Sequence, residues 1–198
     1  MSVVVFWCMT KFILHGGRTP IENESNRAFF REIAKDVPDG GNILMAYFVY
    51  QKDPLPQFEQ QKVWLSSNPE GKKFNFVFAE RDKFVDQLKF ADAVYFHGGE
   101  TEKLLEMVKS IPGFEEILEG KTVAGSSAGA QIFSTYFTRS NTGDIQTGLG
   151  MLPIKLVCHY MSPDFNVGDE ATRRLEKECP PELELVLLRD TEWRVFEK

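Results

Sequence analysis

The segment 121–137, KTVAGSSAGAQIFSTYF, constrains the fold more than any other part of the chain. A short apolar strand is predicted to run into 125–129, GSSAG, and a helix is predicted to follow it. This is the G-x-S-x-G pattern of a sharp strand-to-helix turn, in which small flanking residues let Ser127 project its hydroxyl above a sheet. The helix would then present its first amide, that of Ala128, to an oxyanion formed when Ser127 attacks a carbonyl group.

Two other interpretations of this motif stay open. Small residues also suit tight packing of a helix on a sheet, and the N-terminus of a helix can bind a phosphate group. The motif alone therefore makes Ser127 a candidate nucleophile, and the surrounding sequence has to supply the rest of a catalytic site.

The rest of the sequence alternates predicted strands with predicted helices. The strands are expected at 11–14, 42–50, 74–79, 93–96, 152–159, 183–188 and 193–196. The helices are expected at 58–66, 83–90, 101–108, 114–118 and 169–179. A further helix is indicated by an apolar stripe at helical spacing, which comprises Phe29, Phe30, Ile33, Ala34 and Val37. Residues 139–150 are expected to be a polar loop. Such alternation is typical of a mostly parallel sheet with helices on both faces, so we predict an α/β fold.

Composition limits the organisation of the chain and its partners. With 198 residues and 42% hydrophobic content, residues 1–198 can form one domain with a sizeable core. The net charge is -6, and no cluster of lysine and arginine forms a face that could follow a phosphate backbone. We therefore expect no nucleic-acid partner.

The cysteines and the N-terminus bear on location. Cys8, Cys158 and Cys179 are odd in number and lack C-x-x-C spacing, so they predict no disulfide framework and no zinc site, which fits a reducing cytoplasm. Residues 1–8 are apolar but lack the basic region and the length of a signal peptide or a membrane span, so no membrane partner is expected. We interpret them as an extraneous start or as an extension of the first strand.

Glycines follow three of the predicted strands: Gly16-Gly17, Gly98-Gly99 and Gly125. Each alone is typical of a turn, but open α/β sheets bind ligands at the carboxyl ends of their strands, where these glycines would meet. None matches a nucleotide-binding pattern, so no nucleotide is indicated. The sequence therefore predicts a site at this edge, beside the predicted strand-to-helix turn at 125–129, which we call the elbow.

A serine nucleophile needs a base, and the base needs a third group to orient it. The chain has three histidines, His15, His97 and His159. His15 and His97 lie beside glycine turns and are interpreted as packing or pocket walls. His159 is preferred as the base because it ends a predicted strand and follows the serine in chain order, as in α/β hydrolases. For the orienting carboxylate, spacing leaves Asp190, Glu192 and Asp144 open.

Several segments together resemble the dipeptidase E and cyanophycinase family of serine peptidases. They are ADAVYFHGGETEKLL from Ala91, GSSAGA at 125–130, GLGMLP at 148–153 with Cys158-His159-Tyr160, and the closing hairpin at 188–195. The resemblance extends from about Lys11 to the C-terminus. It implies a three-layer α/β/α sandwich like that of class I glutamine amidotransferases, also called flavodoxin-like.

Carried onto this chain, the resemblance implies a Ser127, His159 and Asp190 triad. It also implies an oxyanion hole formed by the amides of Gly98, Gly99 and Ala128. The amidotransferases themselves have a cysteine nucleophile and a glutamate two residues after the histidine. This chain has Ser127 and Met161 at those positions, which disfavours glutamine hydrolysis.

The chain departs from the family pattern in two places. His97-Gly98-Gly99-Glu100 stands where the family usually has three glycines and an asparagine, so the pocket wall gains an imidazole and an acid. Asp190 stands where the family usually has a glutamate. Arg18 and Arg139 are candidates for pairing with a substrate carboxylate.

The sequence thus predicts a cytoplasmic serine peptidase that hydrolyses small peptides, aspartyl dipeptides among the candidates, through an acyl-enzyme at Ser127. No metal or cofactor is required by this mechanism, and a monomer or homodimer is expected. The alternatives are a non-catalytic member of the fold that binds a small ligand or partner at the same edge, and an esterase, because a triad does not itself choose amide over ester.

Overall fold

The computed structural model describes residues 9–165 and 167–198. The interpretation of residues 1–8, with Cys8, lies outside these residues. In the described part of the chain, strands alternate with helices as the sequence predicts.

The strands and helices have the following bounds. The strands are β1 (Lys11–His15), β2 (Asn42–Ala46), β3 (Asn75–Phe78), β4 (Ala93–Phe96), β5 (Thr122–Ser126), β6 (Ser134–Thr138), β7 (Ile145–Thr147), β8 (Leu152–Val157), β9 (Glu184–Leu187) and β10 (Trp193–Glu197). The helices are α1 (Glu24–Ala34), α2 (Leu55–Ser66), α3 (Phe84–Phe90), α4 (Thr101–Lys109), α5 (Phe114–Leu118), α6 (Ala128–Gln131) and α7 (Asp169–Glu178).

The larger sheet brings the candidate site together. Within the described residues it has six strands in the order β10-β1-β5-β4-β2-β3, and all its pairings are parallel except that of β10 with β1. Strand β5 lies between β1 and β4, so the three glycine-containing turns predicted to share an edge follow three adjacent parallel strands. This edge is where an open α/β sheet binds its ligands.

Both faces of this sheet are covered by helices. Side chains alternate along β1, so Phe12 and Leu14 enter one core while Ile13 enters the other. Helices α1 and α2 pack over the face of Ile13, through residues such as Phe30 and Trp64. Helices α3, α4, α5 and α6 supply the core on the opposite face. The result is the α/β fold predicted from the sequence, with a mostly parallel sheet between helical layers.

A smaller sheet carries the C-terminal part of the chain. In the described residues it has four strands in the order β7-β6-β8-β9, with β8 parallel to both of its neighbours. One face joins the core beneath α4 and α6 through residues such as Ile154 and Leu156. Helix α7 covers the other face, where Val157 meets Leu175. Strand β8 therefore delivers the segment that contains His159 to the larger sheet.

The helix predicted to follow the elbow is much shorter than expected. Helix α6 comprises residues 128–131, and the chain then enters β6 at Ser134. The β-branched and aromatic residues at 135–138 pair with β7 and β8, and this pairing outweighs helical spacing. The prediction of a helix through 137 is therefore wrong, and so is the prediction that 139–150 is all loop, because it contains β7.

Two predicted strands also differ from the structure. The apolar run 42–50 forms a strand only as far as Ala46, because the chain turns at 47–50, where the Tyr50 amide donates to the Tyr47 carbonyl at 3.1 Å. The closing hairpin at 188–195 does not pair with itself, since β9 belongs to the smaller sheet and β10 pairs with β1. The connection from β9 to β10 thus crosses between the sheets, and it carries Asp190.

The glycines of the elbow should be intolerant of substitution. A Cβ added to Gly129 would lie 2.0 Å from the Phe96 carbonyl oxygen, which belongs to the rigid backbone of β4. We expect Gly129→Ala to lower the free energy of unfolding by about 3 kcal/mol or more, as overpacking of a core does. Gly71→Ala is the matched control, because Gly71 has a φ of +69° but open space around it. It should cost only about 1 kcal/mol.

Urea denaturation of the two variants and the wild type measures both values. Equal losses at the two positions would contradict the tight contact between β4 and the elbow.

Candidate active site

Ser127 lies at the sharp turn between β5 and α6. Its φ is +50° and its ψ is -114°, a conformation that a residue with a side chain adopts only under strain. Its amide donates to the His15 carbonyl at 2.9 Å, and its own carbonyl accepts from the amides of Ala130 and Gln131, also at 2.9 Å. The end of β1 and the first turn of α6 therefore hold the strained backbone in place.

A hydrogen-bonded chain connects Ser127 to a histidine and a carboxylate. His159 Nε2 lies 2.9 Å from Ser127 Oγ, and His159 Nδ1 lies 2.6 Å from Asp190 Oδ1. A carboxylate only accepts hydrogen bonds, so Nδ1 carries the proton and Nε2 is left free to accept from the serine hydroxyl. This is the arrangement that lets a histidine remove the proton of a serine as it attacks a carbonyl group.

Gly16 and Gly17, at the end of β1, position both partners of the serine. The Gly16 carbonyl accepts from the His159 amide at 3.0 Å, and the Gly17 carbonyl accepts from the Thr191 amide at 3.0 Å. Gly17 has a φ of +131°, and a Cβ there would lie 2.0 Å from His159 Cε1. A Cβ on Gly16 would lie 2.1 Å from the Arg189 carbonyl oxygen. These glycines are therefore required for the close approach of the segments that carry His159 and Asp190.

An arginine and a phenylalanine complete the surroundings of His159. The Phe165 ring stacks on the imidazole with centroids 4.0 Å apart and an interplanar angle of 25°. Arg18 forms an ion pair with Asp164, and its Nε lies 3.8 Å from Asp190 Oδ2. Burial is the largest influence on His159 and lowers its pKa below the ordinary 6.5. Asp190 raises this pKa, and the charge of Arg18 lowers it.

The other carboxylates considered from the sequence are bonded elsewhere. Glu192 Oε2 accepts from the Arg189 amide at 2.9 Å, and Asp144 Oδ2 accepts from Thr142 Oγ1 at 2.6 Å. Of the three candidates, Asp190 is therefore the carboxylate that the structure places against His159.

The other histidines are buried and bond groups other than the serine hydroxyl. His15 Nε2 lies 2.8 Å from Asn26 Oδ1, and its Nδ1 accepts from the Gly17 amide at 3.0 Å. His97 Nδ1 lies 3.0 Å from the Gly98 carbonyl oxygen. Burial lowers the pKa of each of these histidines to about 4, so both are neutral near pH 7.

The glycines after β4 lie directly against the serine. A Cβ on Gly98 would lie 3.0 Å from Ser127 Cβ. The Gly98 amide donates to Ser126 Oγ at 3.3 Å, and Ser126 Oγ also bonds the Tyr95 hydroxyl at 2.9 Å. Within residues 9–165 and 167–198, the amides of Gly99 and Ala128 donate to no other group. Those two amides are free to bind an oxyanion.

Ser127 and His159 line a cavity of about 720 Å³. Its walls include both arginines proposed to bind a substrate carboxylate, but each is already paired within the protein, Arg18 with Asp164 and Arg139 with Glu102. Glu100 lines the same cavity and bonds Lys103 at 2.8 Å. These three charged side chains of the cavity wall are therefore already paired within the protein.

Sequence reasoning missed three contributors to this site: Asn26, Phe165 and Ser126. Asn26 is fully buried, and its Nδ2 donates to the carbonyls of Arg18 and Ile21 at 3.0 and 2.6 Å, which shapes the turn after β1. A polar residue on the apolar stripe of α1 is a signal that could have identified it. Nothing in the local sequence around Phe165 or Ser126 indicates their contacts.

Neither a metal centre nor a membrane helix is evident in the described part of the chain. It contains no group of three or more histidine, cysteine, aspartate or glutamate side chains that could hold a metal ion. Among the same residues, none of the helices has both the length and the apolar character needed to cross a bilayer.

Comparisons with known proteins bear on the identity of this site. The profile of peptidase family S51 matches residues 70–198, which include Ser127, His159 and Asp190. A search of curated protein sequences gives no match.

Two solved structures resemble the chain. A peptidase from an acI-B1 actinobacterium has a TM-score of 0.61 and 17% identity, covering 96% of this chain and 84% of its own. A putative peptidase E protein from Listeria monocytogenes EGD-e has a TM-score of 0.63 and 19% identity, with coverages of 96% and 98%. At these identities the likeness concerns the fold, and it confirms the predicted class I glutamine amidotransferase-like arrangement.

The titration of the three histidines should reflect their surroundings. We expect His15 and His97 to titrate near pH 4 because both are buried, and His159 to titrate below 6.5. Arg18→Gln should raise the pKa of His159, because the positive charge that disfavours the imidazolium is removed. Imidazole NMR spectra recorded against pH, assigned by single substitutions, measure all three values. A His159 pKa that is unchanged or lower in Arg18→Gln would contradict the electrostatic role of Arg18.

Acid should destabilise the fold through the same buried imidazoles. Between pH 6.5 and 4 the unfolded chain binds protons on His15 and His97 that the native chain does not bind, so stability falls as the pH falls. Each of the two histidines lowers the free energy of unfolding by about 3 kcal/mol as the pH falls through this window, at about 1.36 kcal/mol per pKa unit. Urea denaturation at several pH values tests this, and His15→Gln should flatten the dependence. A stability that is constant from pH 7 to 4.5 would contradict it.

Proposed function

Because the chain belongs to peptidase family S51 and is a serine-type peptidase, we propose that it hydrolyses amide bonds of small peptides through Ser127, His159 and Asp190. The observation that carries this proposal is the continuous hydrogen-bonded chain from Ser127 Oγ through the His159 imidazole to Asp190, at 2.9 and 2.6 Å. Family membership also favours a catalytic site over the alternative of a binding-only protein.

In the first half of the proposed reaction, Ser127 Oγ attacks the carbonyl carbon of the scissile bond. His159 Nε2 takes the hydroxyl proton as the new C–O bond forms, and the carbonyl electrons move onto oxygen. Asp190 stabilises the resulting imidazolium through the Nδ1 proton. When the tetrahedral intermediate collapses, the C–N bond breaks and His159 gives its proton to the leaving amine, which leaves an acyl-enzyme.

In the second half, a water molecule replaces the amine. His159 Nε2 accepts a proton from the water as its oxygen attacks the acyl carbon, and the proton is returned to Ser127 Oγ when the ester bond breaks. The lowered pKa of His159 keeps the imidazole in its basic form at neutral pH. The products are a free carboxylic acid and the regenerated enzyme.

The oxyanion formed in both halves is proposed to bind main-chain amides. The amides of Gly98, Gly99 and Ala128 were the candidates from the sequence. Those of Gly99 and Ala128 have no partner in the described residues, whereas the Gly98 amide bonds Ser126 Oγ at 3.3 Å. Donors fixed before the reaction stabilise the developing charge without reorganising, and loss of one such donor costs about 10²–10³ in kcat.

Short peptides are the proposed substrate class. A cavity of about 720 Å³ falls in the range that accommodates small ligands. Aspartyl dipeptides stay in this class as a proposal, although Arg18 and Arg139 already pair with carboxylates of the protein. We also propose a cytoplasmic location, supported by the free, buried thiols of Cys158 and Cys179.

A dipeptide panel tests this function. We expect the wild type to release amino acids from at least one dipeptide and Ser127→Ala to lose about 10⁴-fold or more in kcat, because no other group replaces the nucleophile. Ser67→Ala, at the exposed end of α2, is the matched control and should retain full activity. Liquid chromatography of the products measures the rates. Turnover of paired ester analogues, with every amide resistant, would instead identify an esterase.

A further inference from the structure

His97 lines the cavity of the candidate site but takes no part in the reaction steps proposed above. Its imidazole lies beside three tyrosine rings, with centroids 4.6 Å from Tyr50, 5.1 Å from Tyr47 and 6.0 Å from Tyr95. Its one polar contact in the described residues is that of Nδ1 with the Gly98 carbonyl oxygen at 3.0 Å. A carbonyl oxygen only accepts, so His97 donates from Nδ1.

The other ring nitrogen of His97, Nε2, makes an imidazole less favourable for stability here than an apolar ring would be. Nε2 is buried and has no hydrogen-bond partner among the described residues. An unpaired buried acceptor is unfavourable, and a phenylalanine would fill an aromatic environment without that penalty. Burial also lowers the pKa of His97 to about 4, so a neutral ring with its single proton on Nδ1 is present at neutral pH. Packing alone therefore does not account for an imidazole here.

The contact fixes the orientation of one peptide unit. In a planar trans peptide the carbonyl oxygen and the amide hydrogen of the next residue point in opposite directions. Since the Gly98 carbonyl points at His97, the Gly99 amide points away from His97. Ser126 Oγ meanwhile holds the Gly98 amide at 3.3 Å. Both polar groups of Gly98 are thus engaged, and the Gly99 amide is left without a partner in the described residues.

Glycine is required at position 99 for the same orientation. Its φ is +153°, and a Cβ there would lie 2.0 Å from the Val49 carbonyl oxygen. His97 therefore anchors the chain at Gly98, which lies directly beside Ser127, and the next residue, Gly99, adopts a conformation that only glycine can adopt there.

We propose that His97 is a positioning residue that locks the Gly98–Gly99 peptide so that the Gly99 amide, together with that of Ala128, binds the oxyanion. This inference rests on the acyl-enzyme mechanism proposed above and assigns its donors. It also gives a role to His97, which stands where the family that this chain resembles usually has a glycine. The Gly98 amide acts as part of the scaffold, held by Ser126.

A matched pair of substitutions tests this role. In His97→Asn the side-chain amide nitrogen falls near the position of Nδ1 and can donate to the Gly98 carbonyl. The leucine of His97→Leu has nearly the same shape as asparagine but carries no donor. Reaction with a fluorophosphonate is the readout, because its phosphoryl oxygen occupies the oxyanion site as the serine is modified. The rate constant of inactivation (kinact) and the inhibitor affinity (KI) are measured separately, with thermal unfolding of each variant as a control.

We expect His97→Leu to lower kinact by at least about 10-fold, toward the 10²–10³ of a lost oxyanion donor, with KI within about 3-fold of the wild type. His97→Asn should restore kinact to within about 3-fold of the wild type, and the pKa of His159 should be unchanged in both variants. Unchanged kinact in a folded His97→Leu would overturn the proposal. Equal losses in the two variants would also overturn it, since the donor would then be irrelevant.

This readout separates the inference from the proposed function. A wild type that reacts with the fluorophosphonate but cleaves no peptide would refute the peptide substrate, while the comparison of Leu with Asn would still decide the role of His97. A wild type that does not react at all would refute both.

Discussion

The contact between the end of β1 and two segments from elsewhere in the chain holds the candidate site together. The carbonyls of Gly16 and Gly17 accept hydrogen bonds from the amides of His159 and Thr191. His159 follows β8 of the smaller sheet, and Thr191 lies in the connection from β9 to β10, so both segments meet at the edge of the larger sheet. The lack of a Cβ on the two glycines permits an approach that a side chain would prevent. Without this junction, His159 and Asp190 would not be held in position against Ser127.

Backbone strain is concentrated around the same junction. In the described residues, the non-glycine residues with positive φ are Arg18, Ser127, His159, Met161 and Thr191. Each is Ser127 or His159, or lies within two residues of His159, of Asp190 or of the Gly16-Gly17 turn. Such conformations cost about 1–3 kcal/mol each, and they persist only where the surrounding structure over-determines them. Here the central position of β5, between β1 and β4, supplies that constraint for Ser127.

Much of the fold and the core of the site could be predicted from local sequence. The alternation of apolar runs with helical stripes gave the sheet and its helices, and the three glycine-containing turns do lie on adjacent strands. The pairings of Arg18 with Asp164 and of Arg139 with Glu102 join residues far apart in the chain, so no local pattern indicates them. The early end of α6 had the same cause, because pairing of β6 with β7 and β8 depends on tertiary contacts.

The central claim is that Ser127 is a nucleophile activated by its hydrogen bond to His159. The most direct measurement is the intact mass of the protein after treatment with a broad fluorophosphonate, for the wild type and Ser127→Ala in parallel. We predict a single adduct on the wild type, located at Ser127 by peptide mapping, and none on the variant. A folded wild type without an adduct, or an adduct that persists in Ser127→Ala, would contradict the claim.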